Sequence, residues 1–187
     1  MGYQTTFEGQ FDLDKPLTPE HKAYLKRFAA TRHMLWDESQ LPSIPDPVRE
    51  AAGLPLGLFS IYFTGITDNS ISLTHYTHNG RPAYHSALIN YNLTPAGVPG
   101  LWCEWAPNQD GTAIVWDQRE KFYDYIEWLQ FLIQHFLSPW GYVLNGSVKW
   151  QGERRTDKGI IEVTANNVAI IEEEVTEEED EEKEEIW

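Results

Sequence analysis

A single cysteine, Cys103, stands in 187 residues. It excludes an intramolecular disulfide and fits a reducing compartment or a chain that never relied on disulfides. Positive charge is scarce as well, with 14 Lys and Arg against 29 Asp and Glu. No basic stripe is left to neutralise phosphates, so direct nucleic-acid binding is disfavoured. No apolar run approaches the ~18 residues of a membrane span, and no basic-then-apolar leader opens the chain. The expectation is a soluble, cytoplasmic protein with no membrane contact. G-x-S-x-G, H-E-x-x-H and a phosphate-binding glycine loop are also missing, so no nucleophile-base-orienter set is visible. This leans away from an enzyme, and no cofactor is expected.

Aromatic residues are plentiful: eight Trp, nine Tyr and eight Phe within a 41% hydrophobic composition. That is enough apolar area for one domain with a proper core. The charge of −15 is unevenly spread. Residues 172 to 185 hold eleven acids and one Lys, a net of −10, which leaves −5 for all the rest. Residues 1 to 171 therefore read as a single domain and 172 to 187 as an acidic tail, too densely like-charged for a packed element and expected to be disordered.

Within the domain the periodicities alternate between strand and helix. Tyr3, Thr5, Phe7, Gly9, Phe11 and Leu13 alternate with polar residues, which predicts a half-buried strand bent at Gly9. Thr18-Pro19-Glu20 is a helix start, and the helix predicted to run to Arg32 or His33 places Tyr24, Leu25, Phe28 and Leu35 on one side. Residues 37 to 100 read as a loop-rich insert with a short helix after Asp46-Pro47 and strands over 58–64 and 70–77. Trp-rich runs on either side of Asp110-Gly111 predict a hairpin. The longest periodic stretch, Glu120 to Tyr142, predicts a helix whose residues Phe122, Tyr125, Ile126, Leu129, Ile133, Phe136 and Leu137 face a sheet. Three β-rich runs follow as a meander. The fold class is α+β: an antiparallel sheet with two main helices on one face, in the β-α-β-β-α-β order of a split βαβ, ferredoxin-like sandwich, with the insert added.

Four groups of residues invite a functional reading. Trp128, Phe131 and His135 form a second apolar stripe on the long helix, to be covered by the insert or left as a partner groove or ligand wall. Trp102 and Trp105 point to opposite faces if both lie on one strand, which leaves at least one off the helix-packed side. His75, His78 and His85 with Cys103 match no strong metal template, and no metal is expected. Glu104 lies between two Trp, a setting that raises a carboxyl pKa, with Asp117 and Glu120 after a strand end. The plainer readings make Asp117 a helix cap and Glu104 a surface residue. The tail ends in Ile186-Trp187 and resembles the C-terminal tips of single-stranded-DNA-binding proteins, which dock partner enzymes.

The segments GYQTTFEGQFDLDKPLTPEHKAYL, PGLWCEW, DGTAIVWD and EKFYDYIEWLQFLIQHFLSPWGYVLNGSVKWQGE together resemble a family of small uncharacterised bacterial proteins. The resemblance implies no activity, ligand or catalytic residue, and the insert and the tail depart from it. Two functions follow as expectations. One is a non-enzymatic protein-interaction or inhibitor-type module, whose aromatic surface (Trp102, Trp105, Trp128, Phe131, His135) and tail with Trp187 engage a protein partner with a basic surface. The other is a small-molecule or nucleotide-binding domain, or an enzyme, with a pocket between the insert and the helix of residues 120–137.

Overall fold

The computed structural model describes residues 2–66 and 85–172. Strand β1 (Thr5–Leu13) keeps the alternation of its sequence, with Thr5 and Phe11 buried and Thr6, Glu8, Gln10 and Asp12 exposed. It lies inside a six-stranded antiparallel sheet with β4 (Trp105–Pro107), β5 (Ala113–Trp116), β6 (Leu144–Gly152), β7 (Lys158–Thr164) and β8 (Asn167–Glu172). The order is β4-β5-β1-β6-β7-β8. Gly9 on β1 and Gly146 on β6 both have positive φ, +112° and +140°, and each presses against the opposite strand's backbone. Through this stretch the ladder keeps an unbroken register, with Gly146 paired to Phe11 and Gly9 to Val148, and the two glycines serve the close approach of the strands.

Helix α1 (Pro19–Ala29) begins as its sequence predicts, with the Thr18 hydroxyl accepting the His21 N–H at 3.2 Å. It ends three or four residues earlier than expected. Its last carbonyls are taken by side chains instead of by a further turn: Thr31 Oγ1 donates to Arg27 O (2.7 Å), His33 Nε2 to Phe28 O (3.1 Å), and Arg119 Nη2 to Ala29 O (2.8 Å). Leu35 then leaves the helical face for β2 (Leu35–Trp36), which pairs with β3 (Leu88–Asn90) in a small second sheet.

The insert has its own small core of Met34, Trp36, Leu41, Phe63 and Ala87. Its helix α2 (Pro47–Ala51) forms as expected. The strand expected over 58–64 does not: Leu58–Ser60 is a 3₁₀ turn with Phe59 and Ser60 at positive φ. Buried Asp46 explains this, because its carboxylate accepts both the N–H and the hydroxyl of Thr64 (2.8 and 2.9 Å) and so ties that segment to α2. The strand expected over 70–77 lies outside the described residues.

The long helix starts later than its sequence suggests. Gln118, Lys121 and Asp124 all have left-handed φ, so residues 117–124 form an irregular segment and α3 runs from Tyr125 to Leu132. A π-helical turn, Ile133–Leu137, completes it. Phe28 of α1 packs against Phe131 and Phe136 at ring separations of 5.8 and 5.1 Å. Phe7 and Phe11 of β1 meet Trp105 of β4 at 5.2 and 5.5 Å, and Phe7 meets Tyr125 of α3 at 4.9 Å, which joins helix and sheet in one core. Among the described residues no helix is long and apolar enough to cross a membrane.

Candidate functional site

The hairpin β4–β5 and the irregular segment after it build the most distinctive site. Asp117 N–H donates to Glu104 O at 2.9 Å, and Trp116 Nε1 donates to Glu104 Oε2 at 3.1 Å, so backbone and side chain both hold Glu104 against the hairpin. Arg119 fixes the segment from the other side. Its Nε donates to Asp117 Oδ2 (2.7 Å) and its Nη2 to Ala29 O and Cys103 O (2.8 and 2.9 Å). The end of α1, residue 103 and the segment are thereby stapled together by one guanidinium.

A cavity of about 670 Å³ opens there, walled by Lys26, Trp102, Glu104, Asp117, Arg119 and Glu120 among others. A second, of about 410 Å³, shares Trp102, Glu104 and Glu120 and continues to Asp124 and Trp128. Glu104 is only 3% exposed. Burial pushes its carboxyl up to about 7, against the hydrogen bond from Trp116, with Asp117 adding to the rise and Arg119 opposing it. Among the described residues the Trp116 indole makes the only hydrogen bond to that carboxyl. Arg119 is committed to Asp117 and to two carbonyls. Asp124 is also raised, by burial first and the neighbouring Glu127 second. The Cys103 thiol is buried and pushed far up by desolvation, which leaves it protonated and unreactive at neutral pH.

The residues singled out in the sequence are divided between this site and the core. Trp102 lines both cavities, with the guanidinium carbon of Arg119 5.1 Å and that of Arg32 5.8 Å from its ring centre. Trp105 is a core residue whose Nε1 donates to Tyr125 O at 2.8 Å. Trp102 and Trp105 do not share a strand, so the expectation of opposite faces does not apply to them. Trp128 and Phe131 are buried, and insert residues meet the second stripe: Val98 joins the core cluster, and Tyr62 OH lies 2.8 Å from His135 Nδ1. An exposed aromatic groove is therefore not formed by Trp105, Trp128 and Phe131. Phe131 and His135 do border a shallow space of about 380 Å³ against Gly97, Val98 and Pro99. Trp187 lies outside the described residues.

The two plainer expectations for the acids are corrected by this geometry. Glu104 is buried, and Asp117 caps no helix: its carboxylate accepts the Arg119 N–H (3.1 Å) and guanidinium, while Asp124 occupies the position before α3. Lys26, Arg119 and Asp124 escaped sequence reasoning because their roles depend on where α1 stops and α3 starts. The run Trp-Cys-Glu-Trp was the available signal. Among the described residues no group of three or more His, Cys, Asp or Glu could hold a metal ion. His75 and His78 lie outside those residues, and His85 Nδ1 accepts the Ala87 N–H at 3.1 Å.

No protein-family model, curated protein or solved structure matches this chain.

Proposed function

We propose that this protein is a small-molecule-binding domain whose cleft takes a small organic cation, an amine or amidine carried on an apolar body. Glu104 is the observation that carries the reading: a desolvated carboxyl, lining both cavities, with an indole N–H as its hydrogen-bond partner and no salt-bridging cation among the described residues. A bound ammonium would supply the missing counter-charge where low local polarity makes such pairing strong. Glu120 adds a second acid to the wall, Trp102 adds an apolar surface, and the net charge of −15 draws cations toward the molecule. Nothing in the arrangement requires a reaction, and binding is the whole of the proposal.

The antiparallel order β4-β5-β1-β6 supports reading those four strands with α1 and α3 as a ferredoxin-like core to which β7 and β8 are appended. In that reading the cleft sits at the β4–β5 edge, beside the end of the first crossover helix. The alternative of an interaction module for a basic protein partner loses Trp105, Trp128 and Phe131 as anchors, because they are core residues.

Benzylamine, titrated against the protein by calorimetry at several pH values, tests the cation reading. Its ammonium stays charged throughout, while Glu104 loses its proton around pH 7. Affinity should therefore rise from pH 6 to pH 8, by at most about tenfold per unit, and should be largely lost in Glu104→Gln. A flat pH profile, or unchanged binding by that variant, would contradict the proposal.

A further inference from the structure

We infer that the inner cavity is a second subsite, in which Trp128 Nε1 and the Asp124 carboxylate together recognise a neutral carboxamide of the same ligand. The inference rests on the cation-cleft reading, because the two cavities are neighbours that share Trp102, Glu104 and Glu120 in their walls.

Trp128 is fully buried, yet its indole N–H has no hydrogen-bond partner among the described residues. A buried donor without an acceptor is costly, and native proteins rarely tolerate one unless water or a ligand completes it. Trp128 and Gly100 both belong to the wall of the inner cavity, and the indole nitrogen lies in that wall beside the glycine. A Cβ placed on Gly100 would stand 3.6 Å from Trp128 Nε1 and 3.5 Å from Asp124 Oδ2. Both polar atoms therefore face the same small space, which the glycine leaves open. An indole N–H only donates and a carboxylate only accepts. A donor and an acceptor side by side match a group with the reverse pair, namely the C=O and N–H of a carboxamide. A carboxylate ligand fits less well, because it would meet Asp124 as a like charge. With Glu104 and Glu120 in the adjoining cleft, the complete ligand is a small cation that also bears a carboxamide.

Indole N–H resonances in ¹H–¹⁵N spectra of the full chain separate this inference from the one it rests on. Benzamide, which has the carboxamide and no charge, should shift the Trp128 indole signal. Benzylamine, which has the charge and no acceptor, should shift that of Trp116, whose indole bonds Glu104. Gly100 does not have the left-handed φ that would strain an alanine, and a Cβ there meets only ordinary contacts. Gly100→Ala should therefore fold normally, weaken benzamide on the order of tenfold, and leave the Trp116 response to benzylamine intact. A silent Trp128 beside a responding Trp116 would overturn the subsite alone. So would a Trp128 indole proton in contact with a long-lived water that benzamide fails to displace, or a benzamide response that survives Gly100→Ala. A silent Trp116 beside a responding Trp128 would remove the cation reading and keep the carboxamide site. Silence at both would remove both.

Discussion

Glu104 would be ionised in water at neutral pH, but in the folded protein burial removes the hydration that its charge needs and pushes its carboxyl up to about 7. This has a consequence for stability. Its folded pKa, about 7, lies above the ordinary 4.5, so the native state holds the proton more tightly than the unfolded chain does. The resulting stabilisation is fully present below pH 4.5 and is lost as pH rises through about 7. Glu104→Gln keeps an oxygen for the Trp116 indole and removes the titration. The variant should gain on the order of 1–3 kcal/mol over the parent at pH 8 relative to their difference at pH 4, as read from paired melting curves. His33 works in the opposite direction: burial lowers it from 6.5 to about 3, so its contribution is present above pH 6.5 and lost as pH falls toward 3. Since both proteins contain His33, the comparison isolates Glu104. The raised carboxyl was legible from the two Trp beside it. The orphaned indole of Trp128 was not, because an unmet donor depends on atoms from residues far apart in the sequence.

Among the elements, β1, α1, the hairpin and the meander follow from local patterns: alternation, the Thr18-Pro19 cap, and Asp110-Gly111 between short strands. Those patterns failed where distant groups compete for the backbone. Helix α1 stops early because Thr31, His33 and Arg119 take its carbonyls, and α3 starts late because three residues of the preceding segment sit at positive φ. The π turn at Ile133–Leu137 has no sequence signature that we can identify. The β1–β6 ladder offers a sharp test of backbone fit. A Cβ at Gly146 would stand 2.7 Å from Gln10 O with φ at +140°, whereas one at Gly53, at φ +71°, would meet nothing within 4 Å among the described residues. Gly146→Ala should cost roughly 2 kcal/mol or more and Gly53→Ala about 1 kcal/mol, compared by urea denaturation. Equal costs would mean that the close approach of the two strands is not what Gly146 provides.

For the molecule as a whole, composition spoke clearly about class and weakly about site. Twenty-five aromatic residues signalled a large core, and most of those described are packed in it or against it. Reading the second stripe of the long helix as a possible surface required knowing whether the insert covers it, and Tyr62 and Val98 do reach it. The cleft assembles from the end of α1, residues 102–107 and residues 115–120, three stretches that only the folded chain brings together. Its chemistry converges on one carboxyl, so the account is tested most directly by following the ¹³C resonance of the Glu104 side-chain carboxyl against pH, with and without benzylamine. The expected inflection is near pH 7 in the free protein and moves to lower pH when the amine is bound, since a cation favours the charged form. An inflection near the ordinary value of 4.5 that benzylamine does not move would contradict it.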